Sequence, residues 1–122
     1  MPTTRGDALD PLTFLPLTPV VFEILLSLAG EERHGYSIIR EVGSRTGLPL
    51  RPGTLYRALG RLLDDGLVEE LDERPDPGLD DERRRYYRMT ALGRDVARAE
   101  ARRLHDQVAH ARARSLLKGV RR

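Results

Sequence analysis

The sequence predicts a mainly α fold with one small β-hairpin and a long final helix, and three observations carry that expectation. Three segments in the first half repeat apolar residues at helical spacing between Thr, Pro and Gly residues placed to start and stop helices. Two short runs with strand character then flank a turn marked by Pro75, Pro77 and Gly78. Beyond them an apolar seam recurs at helical spacing from Leu92 towards Leu116.

Residues 1–16 are expected to form an irregular arm, because Pro2, Pro11 and Pro16 interrupt any helix. Leu12, Phe14 and Leu15 give that arm apolar side chains to pack on the domain or on a partner chain. The first helix starts at Thr18, a capping residue followed by Pro19 at the first helical position, with Leu17 and Phe22 spaced as a hydrophobic staple. It carries two apolar stripes, Val21, Ile24, Leu25 and Leu28 on one side and Phe22, Leu26 and Ala29 on the other. A helix apolar on two faces is buried on two sides, one against its own core and one against a partner.

Gly30 stops the first helix. A second runs from Gly35 to Arg45 with Tyr36, Ile39 and Val42 as its inward side, and residues 46–50 form a turn. The third spans Pro52 to Asp65, with Leu55, Leu59, Leu62 and Leu63 as its core face and Gly66 as its C-terminal cap. Its opposite face holds Thr54, Arg57 and Arg61, with Tyr56 at the boundary. Leu67–Asp72 and Arg85–Met89 are the expected strands of the hairpin. Thr90 caps a last helix reaching Leu117, roughly 40 Å long at 1.5 Å per residue. So long a helix cannot bury its length on so small a domain, so its seam of Leu92, Val96, Leu104, Val108 and Ala111 is expected to pair with a second copy. Three helices followed by a β-hairpin is the order of a winged helix-turn-helix. The organisation is thus an arm (1–16), a winged helix-turn-helix (17–90) and a dimerisation helix with a basic tail (91–122).

At 122 residues, with 39% hydrophobic and 33% charged residues, the chain reads as one globular domain with a heavily charged surface. The absence of cysteine excludes disulfides, thiolate metal sites and thiol nucleophiles, and fits a reducing cytoplasm. No basic-then-apolar N-terminal pattern marks a signal peptide, and no run approaches the roughly 18 apolar residues a membrane span needs. Enzyme, metal and cofactor readings find no support. His105 and His110 are five apart rather than four, no carboxylate joins them at useful spacing, and there is no nucleophile elbow or Gly-rich phosphate loop. His34 is expected to cap or flank the second helix.

The charge distribution points to double-stranded DNA as partner. Net charge is only +2, but all but one of the basic residues are Arg, whose planar fork suits phosphate and guanine. Arg-rich composition alone would equally follow from a GC-rich genome. The third helix is the candidate recognition helix: Thr54 offers a hydroxyl, Tyr56 a phenol, and Arg57 and Arg61 guanidinium groups, with Arg57 able to read guanine bidentately. Tyr36 and Arg51 join them as candidate DNA contacts. Arg83, Arg84 and Arg85 open the second strand and are assigned in part to phosphate contacts, Arg83 and Arg85 pointing one way and Arg84 the other. Their alternative role is to neutralise Asp80, Asp81 and Glu82 just before them. The acidic hairpin itself, which also holds Asp72, Glu73 and Asp76, would be repelled by DNA, and keeps open a protein-docking role for the winged helix. Tyr86 and Tyr87 point to opposite faces of their strand: either both pack in the core, or one does and the other faces the recognition helix or DNA.

Four segments together resemble the PadR family of bacterial transcriptional regulators: His34-Gly35-Tyr36, the run Pro52-Gly53-Thr54-Leu55-Tyr56-Arg57-Ala58-Leu59, Asp65-Gly66-Leu67-Val68, and Arg84-Arg85-Tyr86-Tyr87-Arg88-Met89-Thr90-Ala91-Leu92-Gly93. The resemblance covers residues 17–100. It implies a homodimer on an inverted repeat, acting as a repressor and often on its own gene, with the helix bearing Thr54 and Tyr56 in the major groove. It also implies release from DNA when an effector binds or the dimer is remodelled, and the short branch of the family without a separate C-terminal effector domain. Short members that hold aromatic drugs between subunits use a tryptophan, and this chain has none. A small-molecule effector in a pocket at the dimer interface is therefore left as an open expectation.

Overall fold

A computed structural model of the protein describes residues 10–71 and 85–118. The expected hairpin turn, its acidic residues from Asp72 to Glu82, Arg83, Arg84 and the first nine residues of the arm lie outside that range.

The chain enters through a 3-10 helix, Pro11–Phe14, whose start is fixed by the Asp10 carboxylate accepting from the Leu12 N–H at 3.0 Å. The arm is therefore ordered over this stretch: Phe14 and Leu15 pack on the core, while Leu12 stays exposed. Thr18 caps α1 (Pro19–Ser27), its Oγ1 accepting from the Val21 N–H at 3.3 Å. Ile24, Leu25 and Leu28 are fully buried, as the stripe predicts. After Gly30, at a φ of +83° that favours glycine, comes an element the sequence does not announce: β1 (Arg33–His34). Two residues carry no alternation to recognise.

His34 is also the N-cap of α2 (Gly35–Thr46), with its Nδ1 accepting from the Ser37 N–H at 3.1 Å. The inward face of α2 is Gly35, Ile38 and Val42, not the expected Tyr36, Ile39 and Val42. Tyr36 stands one 100° step off that line and is 39% exposed, and Ile39 is half-buried. α3 (Pro52–Asp64) buries Leu55, Ala58, Leu59 and Leu62, with Leu63 packed at the margin. Leu67 then turns into β2 (Val68–Glu70), which pairs with β3 (Tyr86–Met89). The sheet is antiparallel in the order β1-β3-β2, with Val68 opposite Met89 and His34 opposite Tyr86. Among the described residues three strands thus stand where two were expected, and β2 and β3 are shorter than the sequence suggested.

Thr90 caps α4 (Ala91–Ala113) twice over: its Oγ1 accepts from the Gly93 N–H at 3.0 Å and donates to the Gly66 carbonyl at 2.6 Å. The fit is close, because a Cβ at Gly93 would run into the Leu67 carbonyl. α4 stops four residues before the expected Leu117, where Ser115 takes a φ of 65° and the Leu116 N–H turns back to the Ala111 carbonyl at 2.9 Å. Val96 is at 0% exposure inside the chain's own core. That corrects its assignment to dimerisation: the first turns of α4 lie on the domain, and only beyond Leu104 does the helix leave it. Three helices, a three-stranded sheet and a projecting final helix make a winged helix-turn-helix.

Candidate nucleic-acid interface

α3 is held by its buried leucines on one side and offers Arg51, Thr54, Arg57 and Arg61 on the other. Arg51, Arg57 and Arg61 are exposed and Thr54 is half-buried. Arg51 occupies the N-cap position without a side-chain capping bond, and Pro52 follows at the first helical position. Among the described residues these three arginines join no ion pair. Arg33, Arg45, Arg85, Arg88, Arg98 and Arg103 all do. A guanidinium left unengaged on the exposed face of a helix is available to a phosphate or a base edge, Arg51 and Arg57 towards the N-terminal end of α3 and Arg61 in its last turn.

Tyr56 departs from the expected role. Its phenol ring turns across to α2, and its hydroxyl and Cζ fill the place a Cβ at Gly35 would need, Cζ standing 2.9 Å from that point. Tyr56 is therefore half-buried at the α2–α3 contact, fixing the angle between the two helices of the helix-turn-helix. Glycine in His34-Gly35-Tyr36 was the one sequence signal of this close approach.

Arg45 braces the same unit. It donates from Nε to Glu41 Oε2 at 3.0 Å and from Nη2 to Glu41 Oε1 at 2.8 Å, and it also pairs with Glu23 of α1. The hydrogen bonds hold the Glu41 carboxyl below the usual carboxylate range and the Arg45 guanidinium above its own.

In the sheet, Arg85 is not directed freely outward as a phosphate contact. Its Nη1 lies 3.4 Å from Glu70 on the neighbouring strand, and its Nε is buried without a hydrogen bond among the described residues. Alternation of faces was readable from the sequence, but the acidic neighbour Glu70 across the sheet was not. Arg88 likewise binds Glu69 at 2.6 Å, and this raises its pKa. Tyr87 is the buried tyrosine, and Tyr86 meets the His34 ring edge-on at 5.2 Å between centroids.

An open cleft of about 450 Å³ runs beside α3. Thr54, Arg57 and Arg61 form one wall, and Phe14, Leu17 and Val21 the other. Away from it, the residues expected at a dimer interface divide. Leu92 packs on the core and Val96 lies within it. Leu26 and Val108 are exposed, and Phe22, Leu104 and Ala111 are half-buried. No described helix is long and apolar enough to cross a membrane.

The sequence matches the family profile of the PadR-like transcriptional regulators over residues 24–99. The chain belongs to the PadR-like family. It is 40% identical over 90 residues to the transcriptional regulator Rv3488 of Mycobacterium tuberculosis, a match covering 74% of this chain and 78% of that one. It is 36% identical over 78 residues to a 37.1 kDa protein in transposon TN4556 of Streptomyces fradiae, where the match covers 64% of this chain but only 21% of that protein's length. Among solved structures, a PadR family transcription regulator from Clostridium difficile superposes with a TM-score of 0.67 at 24% identity, covering 82% of this chain and all of that one. The winged-helix fold follows from that likeness. PadR-family proteins are transcriptional regulators, not enzymes, so the absence of catalytic groupings in the sequence agrees with the family.

Proposed function

We propose that this PadR-family regulator binds an inverted repeat as a homodimer and represses the genes beside it. The observation that carries the reading is that Arg51, Arg57 and Arg61 are exposed on the side of α3 away from its buried leucines and join no ion pair among the described residues. Arg57, one turn into the helix, is placed to take a guanine edge, and Arg51 and Arg61 to take phosphates on either side. Tyr36 and Thr54 stand close in sequence to the helix N-termini that would face the groove. Tyr56 acts through Gly35, by setting the helix-turn-helix angle, rather than by touching a base. Dimerisation is supported by the last turns of α4, which lie off the domain and keep Val108 exposed. A helix end that leaves Val108 exposed and Leu104 and Ala111 only half-buried on its own chain gains by packing on another.

Selection from a random DNA library with the purified protein, with sizing of the bound complex, tests this. An enriched inverted repeat bound by two chains is the expected result. If a dimer neutralises on the order of 8 phosphates, the slope of log affinity against log salt is about −7. Enrichment of a site bound by one chain would overturn the dimer, and a salt-insensitive affinity would overturn the phosphate contacts.

A further inference from the structure

The cleft beside α3 has a composition that a DNA groove alone does not call for. Thr54, Arg57, Arg61 and Asp65 lie at i, i+3, i+7 and i+11, so it follows one stripe of the helix for roughly 16 Å. Its other wall and floor are apolar: Phe14 and Leu17 from the entering chain, Val20 and Val21 from α1, and Leu62 at the base. Among the described residues the only acid lining it is Asp65, at one end. Arg57 and Arg61 stand along the rim without carboxylate partners among the described residues. A long apolar trough under two unpaired guanidinium groups fits a narrow apolar body ending in one negative charge. The body would remove water from Phe14, Leu17 and Val21, and the charge would take charge-assisted hydrogen bonds from the arginines. Asp65 disfavours a second negative charge at the far end.

We infer that this cleft binds an amphipathic monoanion, a carboxylate on an unbranched apolar chain, and that its occupancy withdraws Arg57 and Arg61 from DNA. The binding rests on the cleft alone, and the competition rests on the DNA-binding reading above. The entering chain forms the apolar wall and is tied to α4 by the Leu17 N–H donating to Glu100 at 3.2 Å, so the trough is held open by the fold and not assembled by the ligand. This site lies within one chain and uses the DNA-facing side of α3, unlike a pocket between subunits.

Calorimetry of the full chain without DNA, titrated with octanoate, tests the site, with 1-octanol and acetate as partners lacking the charge or the chain. Saturable octanoate binding, with 1-octanol and acetate each weaker by about tenfold or more, is expected. Phe14→Ala removes the apolar wall and leaves both arginines; Val20→Asp places a negative charge at an exposed position in the first turn of α1, where a helix accepts it. Each should weaken octanoate by about tenfold while thermal melts show the fold intact. Equal binding of octanol, no saturable binding, or octanoate affinity unchanged in both variants would overturn the site. For the competition, octanoate should weaken binding to a DNA duplex by wild type, and Phe14→Ala should need about tenfold more octanoate for the same effect; octanoate bound with no change in DNA affinity would overturn it. A wild type that fails to bind DNA at any salt overturns the DNA reading instead, while the calorimetry still decides the site.

Discussion

The Tyr56 hydroxyl occupies the space that a side chain at Gly35 would fill. The two residues come from different helices of the helix-turn-helix, so the absence of one Cβ sets how closely α3 approaches the start of α2. The approach is what lets Leu55 and Leu59 reach Ile38 and Val42 in one core.

Gly35→Ala should therefore destabilise the fold by about 1–3 kcal/mol, the usual cost of forcing atoms into a filled core, even though alanine is the better helix former. Urea denaturation checks the value. Combining it with Tyr56→Leu, which withdraws the ring, should cost less than the sum of the two single changes. Strict additivity would show that the two side chains do not meet.

Glu100 is 1% exposed on α4 and is matched by two partners: the Leu17 N–H at 3.2 Å and Arg103, whose Nε donates at 2.6 Å. Arg103 foremost, with the Leu17 N–H adding to it, holds the carboxyl below its ordinary range. A folded-state pKa below the unfolded one gives stability that is present above the unfolded value, near 4.5, and lost as pH falls through the folded value. Glu41, lowered by Arg45, acts in the same direction. Melting temperature should thus fall on acidification below about pH 4.5, and Glu100→Gln should flatten part of that fall. Glu100→Ala should cost about 1–3 kcal/mol at neutral pH by leaving a Leu17 N–H without its acceptor. An acid profile identical in Glu100→Gln and wild type would assign the loss elsewhere.

The helices were legible in the sequence because their ends are written in single residues: Thr18 and Pro19, Gly30, Pro52, Gly66 and Thr90 act through local backbone geometry that needs no knowledge of the rest of the chain. β1 was not, because Arg33 and His34 become a strand only through β3, more than fifty residues later. The same limit applies at the interface. Helical periodicity placed Arg57 and Arg61 on the face away from the leucines. It could not show that Tyr56 reaches across to Gly35, or that Arg85 meets Glu70 on the adjacent strand.

Arg57→Ala should lower affinity for the selected operator by about 1–3 kcal/mol and relax base choice at one position, measured by anisotropy on a set of single-base variants. Arg61→Ala should weaken all sequences alike and reduce the salt slope by about 1. Because neither side chain joins an ion pair among the described residues, both variants should melt within about 0.5 kcal/mol of wild type. An unequal loss across sequences for Arg61 would move base reading to it.

Val96 and Val108 stand on one apolar seam in the sequence, yet the fold gives them opposite fates. Val96 is closed into the one core cluster that also holds Leu25 and Met89, and Val108, three turns further along α4, is 43% exposed. An acidic group at Val96 would lie in that core without a partner, which costs several kcal/mol, so Val96→Asp should unfold the domain. Val108→Asp should leave the far-ultraviolet spectrum and the melting of the domain in place at high concentration of chains. In the proposed dimer its effect should fall on assembly, raising the dissociation constant by about tenfold or more, as a charge introduced into an apolar helix contact does. Sedimentation equilibrium over a concentration series reads this directly. A Val108→Asp chain that dimerises like wild type would place the interface elsewhere, with the exposed Leu26 of α1 the next position to change.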